Sequence, residues 1–210
     1  ALTLFKGAVR DDVSGASTFT PRFVAEGTGT VVGETTLIDA AGSAGTLGGT
    51  VTGADVVQLD TDLSGLDAGD TVRFAVALQN TGDDGAFDVV LRDELPPGYG
   101  AADVTNLRVV LGDGTVIYDG TPGTLSNLRD PGSGLSPADD SAVRTLFFGP
   151  QGIEFVNPGP VQERIAPGLQ PGGSPNATGA NVLIVLYDLM IKPTAQSQQP
   201  LQSQAVLLNY

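Results

Sequence analysis

Few side chains in this chain could carry out covalent chemistry. It has 24 acidic and 10 basic residues, and no histidine, cysteine or tryptophan. A serine nucleophile therefore lacks an imidazole base. A serine–lysine pair would have to use Lys6 or Lys192, and neither sits in a Ser-x-x-Lys spacing. Paired carboxylates could act as acid and nucleophile, or as acid and base, on a glycosidic bond. The acids, however, cluster in turn-like stretches: Asp60/Asp62, Asp83/Asp84 and Asp139/Asp140. Sugar sites also lean on aromatic platforms, and aromatic residues are 6% of this chain. The expectation is a non-enzymatic protein, with a carbohydrate-active enzyme using paired carboxylates as the alternative from another class.

The same acids suit a metal better than a reaction. Asp60-Thr-Asp62 with Asp67 and Asp70 gathers several carboxylates in one loop, and Ca²⁺ takes ~6–8 oxygen ligands from carboxylates and carbonyls. The spacing is not that of an EF-hand loop. Asp11-Asp12 and Asp83-Asp84 are alternative clusters. Calcium ligation and plain solvated turn aspartates both account for these residues; no other cofactor is expected. Cysteine-based zinc and iron–sulfur sites and disulfides are excluded by composition.

The net charge of −14 repels phosphate backbones and anionic lipid, which argues against nucleic-acid partners. Acidity for solubility alone is the plainer reading. The longest apolar run, Val182-Leu-Ile-Val-Leu-Tyr187, is strand-sized and far short of the ~20 residues of a membrane helix. A first residue Ala1 rather than Met suits a mature or excised segment.

The chain must therefore be read through its elements. With 29 Gly and 14 Pro, it favours short strands and tight turns. Thr18–Val24 and Thr28–Ile38 read as strands. Ala40–Gly53 has little side chain to bury and marks a soft boundary between residues 1–53, a β-rich segment or strand arm, and residues 54–210. Thr71–Leu78 alternates, with Val72, Phe74, Val76 and Leu78 on one face. Phe87–Leu91 follows. Leu107–Tyr118 reads as a hairpin in which Gly112-Asp-Gly114 supplies positive-φ positions. Residues 119–141 and 166–180 read as long loops, Arg144–Phe148 and Ile153–Val156 as short strands. Asn181–Ile191 is the candidate central strand and Leu201–Tyr210 the last. Asn176-Ala-Thr178 is a glycosylation sequon. The pattern predicts an all-β, antiparallel immunoglobulin-like β-sandwich with long loop insertions.

Three stretches also resemble a family. Ala68-Gly-Asp-Thr-Val-Arg-Phe74 with Gln79-Asn-Thr-Gly82, Asp88-Val-Val-Leu-Arg-Asp-Glu-Leu-Pro-Pro-Gly98, and Ser203-Gln-Ala-Val-Leu-Leu-Asn-Tyr210 are similar to the bacterial extracellular conserved-repeat domain (domain of unknown function eleven) of immunoglobulin-like surface protein repeats. Ser203 stands where that family has Asn. The resemblance covers residues 60–98 and 181–210. It implies an extracellular or cell-surface structural protein without catalytic activity: a repeat module or subunit of a fibre, envelope layer or adhesin.

Related surface sandwiches staple themselves with a Lys–Asn isopeptide bond, and that likeness makes Lys6 the candidate lysine, with Asn80 or Asn209 as its partner. Either terminal strand could join a neighbour's open sheet edge, or both could complete sheets in their own chain. Expected partners are copies of the chain or neighbouring repeats. The alternative is an adhesin domain whose loops 119–141 and 166–180 bind a glycan or protein.

Overall fold

Period-two alternation of apolar side chains builds most of the observed strands. The computed structural model describes residues 1–9, 24–25, 51–56, 63–64, 71–160, 162–194 and 203–210. In chain order the strands are β1 (Leu2–Val9), β2 (Val24–Ala25), β3 (Leu63–Ser64), β4 (Thr71–Asn80), β5 (Val89–Glu94) and β6 (Val104–Leu111). They continue with β7 (Val116–Tyr118), β8 (Leu128–Arg129), β9 (Ile153–Phe155), β10 (Val182–Met190) and β11 (Gln204–Asn209). One sheet has the order β1-β4-β10-β6-β7, a second β11-β5-β9-β8, and β2 pairs with β3 alone. Every strand pair is antiparallel. The architecture is an all-β sandwich of two antiparallel sheets, as expected.

The core between the sheets is drawn from alternate residues of both. Val76 and Leu78 of β4 and Leu183, Val185 and Tyr187 of β10 meet Val89, Leu91, Ile153 and Phe155 of the second sheet. Val72, Val76 and Leu78 are fully buried and Phe74 packs partly buried against the core, which matches the face read from the alternation. The outer face of the first sheet is apolar too: Ala75, Ala77, Val182, Ile184 and Leu186 cluster with Val51 and Val56. Strand β10 is thus buried on both faces, which is why its first six residues, Val182–Tyr187, read as an unbroken hydrophobic run.

Both terminal strands pair within their own chain, β1 along β4 and β11 along β5. Residues 2–9 therefore belong to the sandwich's own sheet, although they lie on the N-terminal side of the boundary read near residue 53. The predicted strands Thr28–Ile38 and most of Thr18–Val24 lie outside the described residues, as does Asp11-Asp12.

One element differs in kind. Arg144–Phe148, read as a strand, belongs to helix α1, Asp140–Phe147. Asp139 caps it by accepting a hydrogen bond from the Ala142 amide at 2.8 Å. Val143 and Phe147 face the core four residues apart, and Arg144 pairs with Asp140 one turn back. The 107–118 hairpin forms as expected, but its two glycines act differently. Gly114 has φ of 90°. Gly112 serves close packing: a Cβ there would lie 2.1 Å from the Val51 carbonyl oxygen.

Candidate functional site

Strand alternation brings three polar side chains to one level of the apolar core. On β1, Leu2, Leu4 and Lys6 share the inward face; on β5, Val89, Leu91 and Asp93 do so; on β10, Leu183, Val185 and Tyr187 do so. The neighbours of Asp93 face away, and Arg92 and Glu94 pair with each other at 2.6 Å. The Lys6 ammonium donates to Asp93 Oδ1 at 2.5 Å. The Tyr187 hydroxyl donates to Asp93 Oδ2 at 2.7 Å. Lys6 also donates to the Ser203 hydroxyl, which in turn donates to the Glu94 carbonyl at 2.8 Å.

The cluster is largely buried, with Asp93 at its closed end. The Asp93 side chain has no exposed surface and that of Lys6 is 12% exposed. Aromatic rings wall it: Phe74 stacks on Tyr187 with centroids 5.4 Å apart, and Lys6 Nζ lies 5.6 Å and 5.8 Å from the two ring centroids. Burial pulls the Lys6 amine below its usual range, against the opposing pull of Asp93. Burial also pushes the Tyr187 phenol well up, and the Asp93 charge adds to that shift. Both effects have one cause, since a low-dielectric pocket disfavours any charge it must hold. Chemically the site offers a desolvated amine, a carboxylate in contact with it and a phenol on the carboxylate's far oxygen.

Of the pair Lys6 and Asn80, the first lies in this cluster and the second does not. Lys6 pairs in register with Val76, whereas Asn80 pairs with Leu2 at the other end of β1. The Asn80 amide donates to the carbonyls of Asp84 at 2.7 Å and Ala166 at 3.1 Å, and its oxygen accepts from Gly82 N at 2.9 Å. Asn80 thus closes a turn. Asp60, Asp62, Asp67 and Asp70, the calcium candidates, lie outside the described residues. Among the described residues no group of three or more acids is placed to hold a metal ion.

The other acid pairs are built into turns and caps. Asp83 and Asp84 sit exposed beside an open groove of about 390 Å³ between the two chain ends, with Ala1 and Tyr210 on its walls. Asp139 is the helix cap, while Asp140 accepts from the Tyr118 hydroxyl at 2.5 Å and pairs with Arg144. The sequon asparagine is occupied: Asn176 is 9% exposed and its amide donates to the Pro167 carbonyl at 2.8 Å.

Sequence reasoning missed Asp93 and Tyr187 as site residues. The available signal was an acid and a phenol each continuing an inward-facing apolar series by two positions.

The fold defines a two-sheet antiparallel sandwich with a polar clamp in its core. No family model, curated protein or solved structure matches the chain. Among the described residues no helix is long and apolar enough to cross a membrane.

Proposed function

We propose that the chain is a non-enzymatic structural module, a repeat or subunit of a bacterial cell-surface fibre, envelope layer or adhesin. One observation carries this reading: the first strand and a central strand of each sheet meet at Asp93, and Ser203, just ahead of the last strand, joins the cluster through Lys6 and the Glu94 carbonyl. Force applied to a module through its two ends enters at β1 and leaves at β11. A joint that ties both ends to the core resists that force where it acts. The turn and cap roles of the described acid pairs agree with a structural task, and the acidic, cysteine-free composition suits a solvated exterior.

Copies join through edge strands. Among the described residues, strands β1 and β11 are each the edge of their sheet, and such an edge presents unpaired backbone groups to a neighbour. Size-exclusion chromatography with negative-stain microscopy, on single and tandem copies, tests this reading. Regular polymers or stiff tandem rods are the expected result. Monomers that stay separate when concentrated, and that remain loosely jointed in tandem, would overturn it.

A further inference from the structure

We propose that Arg164 is the centre of a binding site for a small carboxylate taken from solution, a ligand of the size and charge of acetate. The inference stands on the surroundings of Arg164 and does not depend on the surface role proposed above.

Arg164 is carried inward by its backbone. Its amide donates to the Ala86 carbonyl at 2.9 Å, and the next residue, Ile165, is fully buried in the core. Arg164 is 6% exposed, and no other described lysine or arginine is so deeply buried. Among the described residues every other lysine and arginine has a carboxylate partner or, for Arg108, the nearby charge of Asp119. Arg164 has neither. Its side chain makes one hydrogen bond, from Nη2 to the Val156 carbonyl just past β9, and its Nε is buried without a partner. The Nε atoms of Arg92 and Arg144 are also buried and unpartnered, but an acid pairs with each of those guanidiniums. Glu163, the neighbour of Arg164 in sequence, packs against Gly85 instead.

A guanidinium keeps its charge at any ordinary pH, so it cannot escape burial by giving up a proton. Burial pulls the Arg164 pKa down, and no neighbouring carboxylate pulls it back. A buried charge without a counter-charge is strongly unfavourable. The group that answers it must be an anion and must accept hydrogen bonds from a planar fork, and a carboxylate does both. Only a small ligand suits a side chain with so little open surface. The net charge of −14 then selects among small anions. The field of the chain repels a dianion about twice as strongly as a monoanion, which favours a carboxylate over sulfate or phosphate. Binding rests on short-range contact with the guanidinium, and no bond is made or broken.

Nuclear magnetic resonance of the isotope-labelled full chain, titrated with sodium acetate at an ionic strength held constant with sodium chloride, reads the Arg164 Nε–H group directly. Its resonance is assigned through bonds in the wild type. The expected result is a shift that saturates at one acetate per chain, with the melting temperature rising over the same range. Arg164→Lys should weaken acetate binding about tenfold or more, the worth of one lost charge-assisted hydrogen bond. An Nε–H resonance that ignores acetate overturns the proposal. So does a drift that never saturates and is shared by the more exposed Arg129, which marks bulk salt only. Sulfate bound as tightly as acetate overturns the choice of a carboxylate. A shift that follows protein concentration in place of acetate puts an acidic side chain of a second copy on Arg164 and overturns the dissolved ligand. The wild-type titration needs no variant to fold.

Discussion

Lys6 and Asp93 lie 87 positions apart in the chain and on opposite sheets, yet their side chains meet at 2.5 Å in the core. The contact joins an edge strand of one sheet to a central strand of the other. It is polar where the surrounding layers are apolar, and that contrast makes it testable.

Removing one member should cost more than removing both. Lys6→Met leaves the Asp93 carboxylate buried without its cation, and breaking a buried pair in this way costs about 3–5 kcal/mol. Replacing both, as in Lys6→Met/Asp93→Leu, should restore more than half of that loss, because apolar groups of similar size can fill such a site. Urea denaturation of the two single variants and the double variant measures this. Losses that simply add would contradict the picture of a coupled pair.

Alkaline pH should weaken the fold through Tyr118. Its phenol is buried and donates to Asp140, and both effects raise its pKa above the ordinary 10.0. The folded state therefore keeps a proton that the unfolded chain gives up. The stabilisation is fully present below pH 10.0 and declines as pH rises past it. Stability measured from pH 8 to 11 should fall across the upper part of this range, and Tyr118→Phe should flatten the fall. An identical slope in that variant would contradict the assignment.

Helix α1 depends on its cap. Asp139→Ala removes the acceptor for the Ala142 amide and should cost about 1 kcal/mol, while Asp139→Ser should keep most of it. Chemical denaturation of both variants checks this. The same helix shows where alternation misleads. Residues 140–148 mix one acid, one arginine and several apolar residues in a short stretch, and the pair Phe147-Phe148 favours a strand reading. The cap at Asp139 and the four-residue spacing of Val143 and Phe147 were the helical signals, and eight residues gave them little weight.

Gly112 should not tolerate a side chain. An alanine Cβ would meet the Val51 carbonyl oxygen at 2.1 Å and the Gly179 carbonyl oxygen at 2.7 Å, both backbone atoms. Gly112→Ala should cost about 1–3 kcal/mol, the usual range for forcing extra atoms into a packed site. A thermal melt detects a change of that size. Gly114→Ala differs in cause, since its strain would come from a φ of 90° and not from crowding.

These cases mark what the chain discloses locally. Strands β4, β5, β10 and β11 follow from alternation, and β10 from its unbroken apolar run. The inward face of β1 was equally legible, since Lys6 continues the series Leu2, Leu4. What local pattern cannot supply is which inward residue of one sheet stands over which of the other. That depends on how the two sheets stack, so Asn80 was a reasonable partner for Lys6 until the register put it beside Leu2. Asp93 lies within the strand motif Asp88–Gly98, but its meeting with Lys6 is a property of the assembled sandwich.

The most direct test pulls tandem copies by their ends in a single-molecule instrument. Wild-type modules should resist more strongly than modules carrying Lys6→Met, because the joint between β1 and β5 lies in the path of the load. Equal unfolding forces for wild type and Lys6→Met would contradict the central claim that this joint bears load.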